Sequence, residues 1–339
     1  MTDTDFREAP REYCRRVLPL VSRTFAINIE LLDDRMRDAV RVAYLLCRAA
    51  DALEDSWPGA GTEVFGRFRG FLEALAGDVD AARALAEGAA ARPGIRDDLR
   101  LVSNLPIVLA ALGECPDDVQ RIVREGVQTL ATGMQRYASR ASARGPEACY
   151  LDDDAELKDY CWVVAGCVGV MLTRLFELRL DAGADPARGR RLGLAPVVGE
   201  ALQLTNIALD LPGDIRRGRC YVPASWLAPH ELSPADLVRG THPQARAVAL
   251  RLVAAADGAL DRVADYLDTL PRRQVRYRLF CLWPALWARA SLRLAEREPA
   301  FPALECRVKL TRGALWSAAA RSLVVAHSHR GVRGLLARD

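Results

Sequence analysis

Lysine is almost missing from this chain. Of the 47 Lys+Arg in its 339 residues, only Lys158 and Lys309 are lysines. Set against 44 Asp+Glu, the net charge is +3, which argues against the strongly basic face that a nucleic-acid partner would require. The arginine bias, alongside abundant alanine, reads as GC-rich codon usage. Histidine is scarce too. His327 and His329 are the one close pair among the four, and two positions apart on a helix they would face different ways, which argues against a metal site there. The nine cysteines are odd in number and contain no CxxC, and Cys47, Cys161, Cys167 and Cys281 sit inside apolar runs. Free, buried thiols in a reducing cytosol are therefore expected. The longest uncharged apolar stretch, from Tyr160 to Thr173, is short of the ~20 residues of a spanning helix. The opening MTDTDFREAP lacks the apolar region of a signal peptide. Gly59-Ala60-Gly61 lacks the spacing and the preceding strand of a dinucleotide fingerprint.

What the chain has in quantity is helical spacing. At 50% hydrophobic and 27% charged it is globular. Asp33 and Asp34 offer an N-cap, after which Met36, Val40, Ala43, Leu46 and Leu53 recur at helical intervals until Pro58-Gly59. Further helices are expected from Pro116 to about Ser139, from about Ala155 to Leu180, and over 190–211, 243–269, 274–296 and 312–324. No alternating strand pattern, internal repeat or linker is found. The expectation is a single all-α domain over 1–339, a large orthogonal helical bundle without persistent heptads.

Two polar stripes interrupt the apolar pattern. In the first, Tyr44, Arg48, Asp51 and Asp55 share one helical face, with Glu54 beside them. Carboxylates one turn apart can share Mg²⁺, which takes oxygen ligands from protein, water and substrate phosphate. The plainer reading is a solvated helix end in which Arg48 pairs with Asp51. In the second, Gln203, Asn206 and Asp210 fall three and four apart among Leu202, Leu204, Ile207 and Leu209, with Asp214 next in line. Burying that face without a ligand or water would be costly; the plainer reading is a helix end with ordinary capping. Arg23, Arg48 and the Arg216-Arg217-Gly218-Arg219 run offer guanidinium forks for phosphate oxygens.

These stripes, about 160 residues apart, resemble those of the squalene/phytoene synthase family of head-to-head prenyl synthases. Ser22-Arg23-Thr24-Phe25 is similar to its SRSF segment. Tyr160-Cys-Trp-Val-Val-Ala-Gly166, continuing through Gly169 to Leu175-Phe176, is similar to its YCxYVAGxVGxxLxxLF helix. Leu202-Gln-Leu-Thr-Asn-Ile207 followed by Gly218-Arg-Cys-Tyr-Val-Pro223 is similar to LQxTNIxRDxxED…GRxYLP. The resemblance covers about 15–315. Phe280-Cys-Leu-Trp-Pro284 and Arg307-Val-Lys309-Leu-Thr-Arg312-Gly313 resemble the FCAIP and VKIRKG segments of its squalene-forming branch.

The resemblance implies an isoprenoid-synthase fold with a central active-site cavity. It implies a Mg²⁺-dependent condensation of two farnesyl diphosphates through presqualene diphosphate, followed by reduction with NADPH to squalene. Asp51, Glu54 and Asp55 would form one metal-binding group, and Asp210 and Asp214 the other. Ser22, Arg23, Phe25, Tyr44, Arg48, Gln203, Asn206 and Arg219 would bind substrate, with Arg23 and Arg48 also facing the cofactor. Tyr160 would handle a proton and Phe280 would face a carbocation, while Lys309 and Arg312 would hold NADPH. A cytoplasmic enzyme in peripheral contact with the inner membrane face, with no nucleic-acid partner, is implied. Some positions depart from the pattern. Leu209 replaces an arginine, Gly213 after Pro212 replaces the glutamate of the motif's closing Glu-Asp while Asp214 keeps its aspartate, and Thr311 replaces an arginine. Pro212 and Gly213 predict a helix that stops near Asp210 and drops Asp214 from the stripe. Those departures leave two alternatives open: a phytoene, dehydrosqualene or presqualene diphosphate synthase without the hydride step, and a non-catalytic prenyl-diphosphate-binding or partner subunit.

Overall fold

The computed structural model describes residues 8–59, 61–92, 94, 96–145, 148–180, 185–303 and 309–337. It is helical throughout, and the described residues contain no strand, only an isolated parallel bridge between Cys149 and Cys220. The helices are α1 (Pro10–Val21), α2 (Arg23–Ile29), α3 (Asp34–Asp55), α4 (Gly61–Ala76), α5 (Val79–Ala90), α6 (Asp97–Val102), α7 (Leu105–Gly113) and α8 (Asp117–Arg144). After them come α9 (Asp154–Cys161), α10 (Cys167–Glu177), α11 (Arg188–Leu194), α12 (Pro196–Arg216), α13 (Ala224–Leu227) and α14 (Asp236–Arg239). The chain ends with α15 (Ala245–Asp261), α16 (Val263–Leu267), α17 (Val275–Arg297), α18 (Arg312–Val325) and α19 (His329–Leu336). Two compact units result, one of Met1–Ser139 with Arg174–Asp181, the other of Arg140–Thr173 with Ala182–Asp339.

In the first unit, α3 packs against α1, α6 and α7. Asp33 starts it as expected, its carboxylate accepting the Met36 N–H at 3.2 Å. In the second unit, α12 packs against α15, α17 and the turn before α10. Its approach to that turn is very close, because a Cβ on Gly199 would lie 2.1 Å from the Ala165 carbonyl and one on Gly169 2.3 Å from that of Ala195. Only glycine fits at either position.

Several expected boundaries move. The helix expected over 155–180 is interrupted by a π-helical turn at Trp162–Gly166, one residue beyond Tyr160. The one expected over 243–269 breaks at Arg262, and 190–211 becomes α11 and α12. The expectation that α12 ends near Asp210 is wrong: it runs through Pro212 to Arg216. A proline inside a helix removes one hydrogen bond and costs ~3 kcal/mol in an exposed host, but here burial of Ile207, Ala208 and Leu211 and a strong C-terminal cap oppose it. That cap is a Schellman motif. Gly218 takes φ +73°, its N–H donates to the Ile215 carbonyl at 2.9 Å, and the Arg219 N–H donates to that of Asp214 at 2.8 Å.

Residues Asp154–Glu177 and Arg188–Arg216 each contain an 18-residue window of mean hydropathy 1.3, long and apolar enough to cross a membrane by length and composition alone. Half of the first window and a third of the second are buried within the protein.

Candidate functional site

The first stripe is built on α3. Between Ala39 and Leu53 every residue is buried except Tyr44, Arg48 and Asp51, and the helix closes with half-buried Glu54 and exposed Asp55. The spacing read from the sequence is therefore the accessible seam of a core helix. Arg48 departs from the simple pairing with Asp51. Its guanidinium lies 3.6 Å from Asp51 but makes two hydrogen bonds to Asp98 at the start of α6, at 3.1 and 2.9 Å. That fork fixes the side chain along the stripe. Asp51, its side chain 36% exposed, has a carboxyl raised to about 7. Loss of water is the main cause and the Asp55 and Glu54 charges add to it, while Arg48 pulls the other way.

The SRTF segment joins the same seam. Ser22 caps α2, accepting the Phe25 N–H at 3.3 Å, and the Phe25 ring lies 5.2 Å from that of Tyr44. Burial raises the Tyr44 phenol to about 12 against a hydrogen bond with Ser22. Arg23 is exposed and makes no ion pair among the described residues. Ser22, Phe25, Tyr44, Arg48 and Asp51 thus form one connected run within the first unit.

The second stripe lies on α12. Gln203 is half-buried, Asn206 and Asp210 are exposed, and the residues between them are buried or half-buried. Asp214 behaves differently. It is buried, and its carboxylate accepts from Arg217. Its carbonyl also takes the Arg219 N–H. The continuous helix keeps Asp214 on the stripe, where it anchors the turn that carries Arg219.

Tyr160, at the end of α9, stacks on Tyr221 with ring centroids 4.9 Å apart. Tyr221 also meets the edge of Tyr150 at 5.2 Å. Neither Tyr150 nor Tyr221 was singled out from the sequence, although Tyr221 lies inside the GRCYVP segment. Asp98 was missed as well, since an isolated carboxylate 50 residues from Arg48 leaves no local signal. Phe280 is buried within α17. Lys309 and Arg312 are exposed before and at the start of α18, and neither makes an ion pair among the described residues. Thr311, standing where the resemblance expects arginine, caps α18 by accepting the Ala314 N–H at 3.2 Å. Arg307 and Val308 lie outside the described residues.

The described residues present no ready cage of three or more His, Cys, Asp or Glu side chains. In each all-helical unit, one long helix thus carries acids that stay at least partly exposed, Asp51, Glu54 and Asp55 on α3 and Asp210 on α12, among mostly buried or half-buried neighbours. The profile of the squalene/phytoene synthase family matches residues 18–314, and the chain belongs to that family of prenyl transferases. It is 27% identical over 303 residues to a squalene synthase of Cyberlindnera jadinii, covering 88% of this chain and 64% of that protein. It is also 40% identical over 124 residues to a 15-cis-phytoene synthase of Enterobacter agglomerans, covering 36% of this chain and 38% of the relative. Among solved structures, TcSQS in complex with the ligand BPH1237 superposes with a TM-score of 0.77 at 25% identity, over 97% of this chain and 89% of that one. The fold is thus the all-α isoprenoid synthase fold. The chain spans about 41% to 64% of the length of the squalene synthases that it matches.

Proposed function

We propose that this protein is a squalene synthase, joining two farnesyl diphosphates head to head through presqualene diphosphate and reducing the product to squalene, with both units acting as one synthase domain. The observation that carries this reading is the pair of carboxylate stripes on α3 and α12, in which Asp51, Glu54, Asp55 and Asp210 stay at least partly exposed among mostly buried or half-buried neighbours.

The carboxylate set suits Mg²⁺ better than a metal needing a complete protein cage, because Mg²⁺ keeps waters and substrate phosphates among its ligands. Asp51, Glu54 and Asp55 would hold it on one stripe, and Asp210 with Asp214 on the other. When bound, Mg²⁺ would neutralise the departing diphosphate. Arg48, Arg23 and Arg219 would bind diphosphate oxygens, and Gln203 and Asn206 would orient them. Tyr160, steadied by Tyr221, would hold a proton near the leaving group. Val164, Val168 and Leu172 would exclude water from the cation, and Phe280 would offer it a ring face. NADPH would supply the final hydride, with Lys309 and Arg312 as its cations. Thr311 leaves one cation fewer for it, which favours dehydrosqualene or phytoene formation as the second reading.

The test is incubation with farnesyl diphosphate and Mg²⁺, with and without NADPH. Squalene formed only with NADPH supports the proposal. An unreduced product indifferent to NADPH supports the second reading, and absence of any condensed product overturns both.

We also infer peripheral contact of this cytoplasmic protein with an anionic membrane face. On α18 the small Ala319 and Ser322 are buried, whereas Trp316, Leu323 and Val324 are 57%, 55% and 71% exposed. Residues 309–337 contain no acid. Large apolar groups beside cations suit an anionic interface. Co-sedimentation with vesicles containing phosphatidylglycerol, but not with purely zwitterionic ones, is expected; equal recovery with both would count against it.

A further inference from the structure

Most of the described thiols are shut away. Cys14, Cys167 and Cys281 are buried, and loss of water pushes each up to about 12; Cys161 is driven higher still. Cys149 and Cys220 are arranged differently. Their sulfurs face each other at 3.8 Å, across the parallel bridge in which the Tyr150 N–H donates to the Cys220 carbonyl at 2.8 Å. Cys149 is half-buried, and Cys220 behind it is buried. The Arg144 guanidinium donates to the carbonyls of Cys149 and Tyr150 at 3.2 and 3.4 Å, which places a cation beside the more accessible thiol. The hydrogen bond between the two thiols pulls Cys149 below the ordinary thiol range against its burial, and Arg144 acts in the same direction. The same hydrogen bond and burial raise Cys220. One thiol is thus partly accessible, and the other lies buried against it at disulfide-forming range.

We propose that Cys149 and Cys220 are a dithiol modification site, at which a low-molecular-weight disulfide converts the pair into an intramolecular disulfide. Cys149 gives up its proton and its thiolate attacks one sulfur of the small disulfide. That S–S bond breaks, and the released thiolate takes up the proton. Cys220 then loses its proton and attacks the Cys149 sulfur of the mixed disulfide, expelling the second small thiol. Two protein thiols are oxidised by two electrons, and the small disulfide is reduced to two thiols. No other oxidant is required.

The place of the pair gives the modification a consequence. Cys149 directly precedes Tyr150, and Cys220 lies between Arg219 and Tyr221. The cross-link would therefore tie the two segments whose tyrosines meet edge to face, and would pin Tyr221 where it stacks on Tyr160. The link to prenyl transfer rests on the function proposed above, whereas the chemistry of the pair does not.

The test is to treat the reduced full chain with glutathione disulfide, trap the remaining thiols by alkylation, and read intact and peptide masses. The wild type should lose two hydrogens, retain no glutathione, and yield one cross-linked peptide pair containing Cys149 and Cys220. Cys149 should be consumed about tenfold faster than the buried thiols Cys14, Cys47, Cys115, Cys161, Cys167 and Cys281. Cys220→Ser, or Cys220→Ala if the serine variant does not fold, should stop at a glutathione adduct on Cys149. Cys149→Ser should leave Cys220 unmodified. A stable adduct on Cys149 in the wild type would overturn the proposal. So would cross-linking through other cysteines, or a Cys149 no faster than those buried thiols.

Discussion

The stripe on α3 and the stripe on α12 carry the same kind of residues and are held in opposite ways. On α3 the scaffold is external. Arg48 is clamped by Asp98 from another helix, and Asp51 stays partly exposed at 3.6 Å from its guanidinium. On α12 part of the stripe is its own scaffold, because Asp214 is buried, ion-paired with Arg217, and tied through its carbonyl to the turn that presents Arg219. Polar spacing on a helix therefore does not separate an acid that waits for a ligand from one that builds the site.

The largest effect should fall on the acids that wait. Asp51→Asn and Asp210→Asn are each expected to lower kcat/KM at least ~100-fold, with little change in Tm, because Asp210 is exposed and Arg48 keeps its two bonds to Asp98 when Asp51 loses its charge. Steady-state assays with farnesyl diphosphate beside thermal melts read both quantities. Asp214→Asn should lower activity and also lower Tm by a few degrees. Losing a pair with an exposed arginine costs only about 1 kcal/mol after screening, and some of the Arg219 turn goes with it. If Asp214→Asn leaves Tm at the wild-type value, the contrast between the stripes collapses.

Much of this was legible in the chain itself. The seam on α3 could be read because one helix carries it and the period of 3.6 residues exposes it. The Asp33 cap could be read for the same local reason. The course of α12 could not. Proline and glycine predict a stop when local preference is the only guide, and the helix continues because of burial and a cap that involve residues up to Arg219. The Asp98 clamp and the Tyr160–Tyr221 stack also depend on partners brought together only by folding. Thr311 shows the converse, since a lost cation becomes intelligible as the N-cap of α18.

Arg48→Lys tests the external clamp at smaller amplitude. Lysine keeps the positive charge but cannot make two parallel bonds to Asp98, which would retain a longer contact with the Ser56 hydroxyl at 3.4 Å. A rise in KM of about tenfold with a smaller fall in kcat is expected, since the change disturbs placement of a binding group rather than its charge. A kcat loss as large as that of Asp51→Asn would mean that Arg48 acts on the reacting atoms directly.

The smallest expected effect belongs to Pro212→Ala. Alanine restores an N–H that can donate to the Ala208 carbonyl and relieves the ring's crowding of the preceding turn. In an exposed helix the gain would approach ~3 kcal/mol, but α12 has already adjusted to the ring and Pro212 is buried, so packing lost with the ring offsets much of it. A rise in Tm of only a few degrees, with activity within about twofold, follows if Asp210 and Asp214 already sit on one helix face. A large recovery of activity would instead show that the proline keeps the second stripe from working as the first does.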